Sequence, residues 1–584
     1  MFARVTDVKY KDKVYQYLRL VESYRDRRGK VRQRIVWNIG RLDKLIQEGK
    51  LEKIVEELRK FCKKKFLVPG EICNQESVCW GPILVARHLW KEMELDRIIR
   101  RLCQRRKLKF DVSERAFVLV ANRLTEPGSE HALASWLEYT YVCDSRGVRY
   151  VPKWRPEHQV TKESRVKVKW QQLDVWYRTL DAVYGRKAAI ERELYLKLRD
   201  LLSLKVDMVF YDITSLSFAG REDKGELRRH GYPRKGSPRD VQVLFGMVMV
   251  GGFPIAGHVL RGNVADKTTV KEVVRDIEER FGIKRIIFVA DKGMVSKQNL
   301  LALVNHRYIL GHKGRRDKDA KRWLSKLTDK WRECSEGVGV QEIESGKEEL
   351  RVLVVESDER KEYQERQRRE SMNRAQEHLK KVQEAVEKGR LKAKEKIAVR
   401  ADRALHNNKG YRYFSYRIPS DGRFEYFLDE EKMKAEVIRE GRYILTTNHP
   451  HISREEAVGH YKELSDIEAG FRELKDVIRG RPIHHQRDDR ICAHLFIAQL
   501  ALLLLRELRH RLNEKGVLFS PREALAAVKS IGVAELNLNG ENHVLVSTPK
   551  PHARRVLTAL GITDPQPPAS TRKNTPSAAR GKAM

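Results

Sequence analysis

Hydrophobic and polar residues follow two different periods along this chain, and the change between them divides it into regions. Between residues 78 and 200, apolar positions recur with the helical period of about 3.6, as in SERAFVLVANRLT. Later on, short runs rich in Val, Ile and Phe predict strands at 206–212, 241–250, 253–260, 285–291 and 307–313. Helical patterns at 267–282 and 296–305 lie between the later strands.

The order of these elements indicates the fold class. Three strands come before the first helix, and helices and strands then alternate, which is typical of a ribonuclease-H-like α/β fold with a mixed sheet. Gly251-Gly252 lies between the second and third strands and predicts a β-hairpin. The last strand of the domain is expected in EGRYILTTN, after a long interruption.

Six segments are predicted from these patterns. The N-terminal one contains two candidate strands joined by RRGK and then one helix over 42–62. The segments are a small basic β-hairpin and helix unit at 1–75, a helical domain at 76–200, the ribonuclease-H-like domain at 201–312 and 441–515, an insertion with strands and a long charged helix at 313–440, a C-terminal region at 516–563, and a disordered Pro-rich tail at 564–584.

One predicted helix, YKELSDIEAGFRELK, carries a row of chemically useful side chains. Ser453 and Glu456 predict a capping box upstream of it. Tyr461, Glu468 and Lys475 are spaced by seven residues, almost two helical turns, so they share one face. From spacing alone, a solvated polar face is the favoured interpretation.

Two acids elsewhere in the chain favour a different interpretation of this polar face. Asp212 and Asp291 each follow an apolar run, so both are predicted at the ends of buried strands, although either alone could be a turn residue. Two neighbouring carboxylates favour a hard cation between them, and Mg²⁺ is the natural candidate. With Glu468 as a third acid, such a site can bind two metal ions and cleave phosphodiesters.

The charge of the chain points to its partner. Lys and Arg number 118 against 81 Asp and Glu, a formal charge of +37 that is spread along the chain, so a polyanion is the expected partner. A membrane surface and a merely basic soluble protein are the alternatives. The N-terminus shows no apolar leader, and ICAHLFIAQLALLLLREL is interrupted by His494 and Gln499, so we expect a core helix and no membrane span. The seven Cys include no CxxC pair and are interpreted as reduced cytosolic thiols.

Three further segments leave alternatives open. The charged stretch 361–396 predicts either a solvated helix or an arm on a partner. KGYRYFSYRI predicts either a surface that stacks unpaired bases or an amphipathic strand. His484-His485 has no Cys or Glu at zinc spacing, so structural or DNA-facing histidines are favoured over metal ligands.

The segments YDITSLSF, FVADKGMVSKQNL and YKELSDIEAGFRELK resemble the three catalytic blocks of DDE transposases from bacterial insertion sequences. The resemblance is greatest to long members of the insertion-sequence-four type, whose third block carries a Tyr-Arg-Glu-Lys signature. Tyr461, Glu468 and Lys475 fall on that signature, whereas the Arg position is Leu464. GlyGlyPhePro at 251–254 and Gly262-Asn263 also match, and the resemblance covers residues 200 to 510 well.

The resemblance implies a role for each matching residue. Asp212, Asp291 and Glu468 are expected to be the catalytic, metal-binding triad, using Mg²⁺, for which Mn²⁺ is expected to substitute. Tyr461 and Lys475 are expected to hold DNA phosphates, and Arg472 is a candidate for the contact that Leu464 cannot make.

The resemblance also implies the reaction and the partners. A transposase of this type nicks double-stranded DNA at the terminal inverted repeats of its element and joins the freed 3′ ends to target DNA. We expect a homodimer in the synaptic complex and a cytoplasmic, nucleoid-associated location. By position and charge alone, the 76–200 helices and the N-terminal unit are both candidates for DNA-end binding. The sequence has neither a P-loop nor GxGxxG, so no nucleotide cofactor is expected. The alternatives are a metal-dependent nuclease without joining activity and a catalytically silent, transposase-derived DNA-binding protein.

Overall fold

The structure is a computed structural model, and its chain divides into two compact units. One unit comprises residues 1–77 and 534–545, and the other comprises 78–533 and 546–584. The structure describes residues 1–11, 13–59, 61, 73–104, 108–150, 162–202, 208–231, 240–264, 270–283, 286–291, 297–303, 305–312, 317–538, 541–563 and 565–567.

The smaller unit starts with an antiparallel sheet of β1 (Phe2–Tyr10), β2 (Lys13–Arg25) and β3 (Val31–Arg41). The hairpin β2–β3 was predicted, whereas β1 was not. The single helix predicted over 42–62 is wrong, because α1 (Leu42–Gln47) and α2 (Lys50–Arg59) are separated by Gly49, whose positive φ of 59° breaks the helix. A second sheet has the order β18 (Glu541–Val546), β17 (Gly532–Leu538), β4 (Cys73–Cys79).

The larger unit opens with helices that share one hydrophobic core with the mixed sheet of the same unit. They are α3 (Gly81–Glu92), α4 (Leu95–Cys103), α5 (Val112–Thr125), α6 (Leu133–Tyr139), α7 (Lys162–Tyr184) and α8 (Lys187–Leu202). The long helix α16 (Asp488–Glu514) packs against α3, α5 and α7 on one side and the sheet on the other. These helices therefore bury apolar surface of the sheet and stabilise it.

The sheet of the larger unit is mixed. Its first strands are β5 (Met208–Ser217), β6 (Arg229–His230), β7 (Val241–Val250), β8 (Phe253–Arg261), β9 (Ile287–Ala290) and β10 (Arg307–Gly311). The order β8-β7-β5-β9-β10 has antiparallel pairs around β7 and parallel pairs around β9. Helices α9 (Val270–Phe281) and α10 (Lys297–Ala302) connect the later strands. This arrangement fits the predicted ribonuclease-H-like α/β fold.

Two local predictions within this sheet have different outcomes. The hairpin at Gly251-Gly252 is confirmed, because both residues have positive φ and join β7 to β8 in the primed-turn geometry. The prediction that the first strand ends at Asp212 is wrong. Strand β5 continues to Ser217 because β7 pairs with it beyond the point where the parallel strand β9 has ended.

The segment between β10 and the last strand of the fold extends the sheet. Helix α11 (Lys318–Leu324) comes first, and β11 (Arg332–Ser335), β12 (Val338–Ile343) and β13 (Arg351–Ser357) then add to β16 (Arg442–Thr447), which pairs antiparallel with β10. The order across the sheet is β11-β12-β13-β16-β10-β9-β5-β7-β6, with β8 also paired to β7.

The charged segment of the insertion forms a helical hairpin with its own core. Helix α12 (Asp358–Glu387) buries Ala375, Leu379 and Val382 against α13 (Lys394–Asn407), so both predicted alternatives, a solvated helix and an arm on a partner, are wrong for this half of α12. Strands β14 (Phe414–Arg417) and β15 (Glu425–Leu428) and helix α14 (Glu430–Val437) follow. Tyr413 and Phe414 belong to this small core, which favours the amphipathic-strand interpretation of KGYRYFSYRI.

Helix α16 is long and apolar enough to span a membrane, but 94% of its most apolar window is buried inside the protein. It is therefore the core helix that the sequence predicted. Helices α17 (Pro521–Val528) and α18 (Pro551–Ala559) pack together after it. Most of the tail predicted to be disordered, residues 564 and 568–584, lies outside the described residues.

Candidate active site

The helix predicted to carry the third acid begins as expected. Helix α15 (Arg454–Arg472) has Ser453 as its N-cap, and the reciprocal bonds of a capping box join Ser453 and Glu456 at 3.0 Å each. After Arg472 the chain continues as a π turn, Glu473–Val477, and not as α-helix. Such turns are frequent at functional sites, and this one includes Lys475.

The two strand-borne acids lie side by side. Strands β5 and β9 are parallel neighbours, with Phe210 opposite Val289. Extended by two residues, this register places Asp212 level with Asp291, which directly follows β9. Both side chains are half-buried. The sheet therefore brings together two acids that are 79 residues apart in the chain.

Helix α15 crosses the sheet on the face that carries Asp212. Met247, the partner of Asp212 on β7, contacts Gly470, where a Cβ atom would lie only 3.0 Å from the Met247 methyl group. Because directly paired residues point to the same face of a sheet, the carboxylate of Asp212 lies beneath this helix. Glycine at 470 permits this close approach.

Contacts at both ends of the row of functional side chains support this placement. The hydroxyl of Tyr461 donates a hydrogen bond of 3.3 Å to Oδ1 of Asp291. At the other end, Nζ of Lys475 donates to Oγ1 of Thr214, which lies two residues beyond Asp212 on the same face of β5. The Lys475 ammonium therefore already has a partner within the protein.

Glu468 lies between these two contacts and is exposed. Leu464, at the position of the signature arginine, is buried in the core together with Ile467 and Phe471. Arg472 is the last residue of α15 and is exposed. The helix thus presents an apolar stripe to the sheet and Glu468 at the edge of that stripe.

The surroundings of Tyr461 keep its phenol protonated. Burial, followed by the charge of Asp291, raises the pKa of Tyr461 well above its ordinary value. Its ring stacks on Tyr443 at 5.8 Å with an interplanar angle of 27°. Burial also raises the pKa of Tyr443, to about 12. Tyr461 is therefore a fixed hydrogen-bond donor at neutral pH.

Comparison with known proteins identifies the family. Residues 209–504 match the profile of the transposase DDE domain, which is more than half of the chain. The chain belongs to the DDE transposases. Residues 3–71 also match the N-terminal domain of the IS1634 family of transposases. The protein is thus a metal-dependent DNA transposase, and neither a nuclease without joining activity nor a silent DNA-binding protein is favoured.

Two other comparisons add little. No curated protein matches this chain. Among solved structures, the cryo-EM structure of the piggyBac transposase synaptic complex with hairpin DNA is similar at 11% identity and a TM-score of 0.32, covering 77% of this chain and 79% of that chain.

DDE transposase domains use divalent metal ions, and the three candidate acids suit them. Asp212, Asp291 and Glu468 supply only carboxylate oxygens, the ligands that hard cations prefer. Their oxygens do not all lie within 4.8 Å of one another, whereas within the described parts of the chain Glu130, His485 and His494 do form such a group. Sequence reasoning missed this second group because Glu130 lies 355 residues before His485.

The Glu130 group is better explained as a buried ion-pair network than as a metal site. Nη2 of Arg123 lies 3.2 Å from Nδ1 of His494 and 3.9 Å from Glu130, so a guanidinium already faces two of the three ligands. Nε2 of His485 lies 3.3 Å from the Glu130 carboxylate. A metal ion here would have to displace Arg123, so the strand-borne acids remain the candidate metal centre.

Proposed function

We propose that Asp212, Asp291 and Glu468 are the metal-binding triad of this transposase. The proposal rests on the parallel pairing of β5 with β9, whose register, extended by two residues, brings Asp212 level with Asp291 beneath the helix that bears Glu468. Mg²⁺ is the proposed ion, with Mn²⁺ as a substitute, and it would supply charge neutralisation and activation of water at the scissile phosphate. The three carboxylates would hold it.

The residues around the triad are proposed to position the DNA. Tyr461 and Lys475 supply hydrogen-bond donors at the two ends of the site, where phosphate oxygens on either side of the scissile bond would lie. Arg472 adds an exposed cation at the end of α15. This set supports assignment to the Tyr-Arg-Glu-Lys subgroup with a departure at Leu464.

The proposed reaction has two in-line phosphoryl transfers. In the first, water attacks the phosphorus at the element end, the bond to the 3′ oxygen breaks, and that oxygen takes up a proton to become a 3′-hydroxyl. In the second, this hydroxyl loses its proton and attacks a phosphorus of the target strand. The bond from that phosphorus to the target's own 3′ oxygen breaks, and the released oxygen takes up a proton, so that one phosphodiester replaces another. No nucleotide cofactor is needed because each step exchanges one oxygen for another.

The proposed partners are the terminal inverted repeats of the element and a target duplex. The charge of +37 suits both polyanions, because release of counterions from phosphates drives such binding. We also propose that two copies of the chain hold two ends in one synaptic complex in the cytoplasm, associated with the nucleoid. The 76–200 helices and the N-terminal unit remain the proposed readers of the ends.

Charge-removing substitutions in the triad test this function. Asp291→Asn keeps the shape of the side chain and removes the charge, so cleavage of end DNA should fall to background while binding is retained. Glu463→Gln, which neutralises an exposed acid of α15, is the matched control and should leave cleavage unchanged. The proposal fails if Asp291→Asn retains cleavage, or if it loses binding in proportion to cleavage.

A further inference from the structure

A cavity of about 690 Å³ opens beside the candidate active site. Asp291 and Tyr461 line one side of it, and Arg360, Gln364 and Gln367 of α12 line another. The first three turns of α12, which do not take part in the small core of the helical hairpin, therefore face Asp291 across open space.

The cations of this cavity differ in whether they are already neutralised. Arg368 makes a bidentate pair with Glu440 at 2.7 and 3.1 Å, and Arg439 pairs with Glu436 at 3.1 Å. Arg360, like Lys409 and Arg412 of the same cavity, has no carboxylate within ion-pair distance among the residues that the structure describes, and of these three it is the one that lies over the Tyr443 ring. Its charge is thus available to a ligand that enters the cavity.

Stacked rings connect Arg360 to the candidate catalytic acids. Its guanidinium carbon lies 5.2 Å from the centre of the Tyr443 ring, and Tyr443 stacks on Tyr461, whose hydroxyl donates to Asp291. A guanidinium that lies over an aromatic face keeps its N–H groups directed outward, in a planar fork that suits two phosphate oxygens.

We propose that Arg360 binds a DNA phosphate beside the Asp291–Tyr461 pair, and so supplies from the insertion the guanidinium that Leu464 cannot supply from α15. Leu464 is only 6% exposed and belongs to the core, so its position has no access to DNA. Arg472, the other candidate, does not line this cavity. This inference rests on the proposed function, because it assumes that the scissile phosphate lies at Asp291.

The proposal assigns a substrate-contacting role to the insertion. Arg360 precedes Tyr461 by 101 residues and lies in a stretch with many charged neighbours, so nothing in the local sequence distinguishes it. Only the antiparallel pairing of β13 with β16 brings the start of α12 next to Tyr443 and Tyr461.

Binding and cleavage by the full-length protein test the proposal. The probe is a duplex carrying the terminal repeat read from the DNA beside the gene, and affinity is measured without divalent metal across a salt series. Arg360→Ala and Arg360→Gln should each weaken binding about tenfold at low salt, the loss expected for one hydrogen-bonded charge. Each should also lower the salt slope by about one unit, as for a single phosphate contact.

A lysine at the same position separates charge from geometry. Arg360→Lys should restore the salt slope but leave single-turnover cleavage below wild type, because an ammonium cannot form the planar fork. Replacing one phosphate near the cleaved end by a neutral methylphosphonate should weaken wild-type binding and have no further effect on Arg360→Ala. Additive losses at every phosphate would overturn the proposal.

Two further variants distinguish failure of the Arg360 proposal from failure of the proposed function. Arg366→Ala removes an exposed arginine of α12 that does not line the cavity, and it should behave as wild type. If Arg360→Ala and Arg366→Ala have the same affinity and the same salt slope while Asp291→Asn does not cleave, the role of Arg360 is refuted and the proposed triad stands. If Asp291→Asn still cleaves, the proposed function itself fails.

Discussion

Glu473 is a buried acid at the start of the π turn, and its removal tests how this turn is held in place. Its carboxylate lies 2.7 Å from Nε of Arg506 and accepts a 2.5 Å hydrogen bond from Arg509, both on α16. The side chains of Arg506 and Glu473 are only 5% and 11% exposed. The other partner of Arg506 is the Asp466 carbonyl oxygen, at 2.9 Å.

Among the described residues, Glu473→Ala leaves the buried Arg506 guanidinium with a carbonyl as its only remaining partner. Removing one member of a buried ion pair costs about 3–5 kcal/mol, because the other charge stays desolvated. Arg509 is 37% exposed and can be solvated, so we expect the lower end, a loss of about 3 kcal/mol in the free energy of unfolding. Urea denaturation followed by tryptophan fluorescence measures this loss.

Two comparisons show whether the reasoning is correct. Replacing both charges, with Glu473→Met and Arg506→Met together, should recover most of the loss, since no buried charge then lacks a partner. Glu430→Ala breaks the Glu430–Lys434 pair, whose side chains are over 80% exposed, and should cost less than about 1 kcal/mol. Equal losses for Glu473→Ala and Glu430→Ala, or a double variant as unstable as Glu473→Ala, would refute this account of the π turn.

Three other predictions concern the site, the sheet and pH. Lys475→Ala removes the donor at Thr214 and one proposed phosphate contact, so the salt slope of end binding should fall by about one unit and cleavage should fall more than binding; a wild-type slope with wild-type cleavage would remove Lys475 from the site. Gly262→Ala would place a Cβ atom 2.0 Å from a backbone oxygen, so we expect a loss of more than about 3 kcal/mol in urea unfolding, whereas a loss below 1 kcal/mol would contradict the packing. Burial, then the charge of Lys187, lowers the pKa of His258 from 6.5 to about 4, so the unfolded chain binds a proton in this window that the folded chain does not, and stability should fall as pH falls from 6.5 to about 4. His258→Gln should flatten that dependence in thermal melts at several pH values, and an unchanged profile would contradict the assignment.

Signals carried by a few consecutive residues were sufficient to predict several structural elements. Gly251-Gly252 predicted the β7–β8 hairpin because two adjacent positive φ angles require residues that adopt them without strain. Ser453 and Glu456 predicted the start of α15 because a capping box needs only its own first turn. The order of strands and helices predicted the fold class for a similar reason, since short connections restrict the ways in which successive elements pair.

Predictions that depended on a partner from elsewhere in the chain were less successful. Strand β5 extends past Asp212 because of its pairing with β7, and nothing within YDITSLSF indicates where that pairing stops. The charged helix α12 has a core because α13 folds back on it, which periodicity within α12 alone did not reveal.

The candidate site also has features that the sequence determined and features that only the tertiary structure decided. The sequence by itself determined which residues are available: two acids after apolar runs, and a helix with a phenol, an acid and an ammonium on one face. Tertiary structure alone decided that Asp212 and Asp291 share a register, that Lys475 contacts Thr214, and that Arg360 faces the cavity beside Tyr461. The physical reason is that helix caps and turns depend on bonds between near neighbours, whereas strand register and helix packing depend on surfaces from distant segments that meet only in the folded protein.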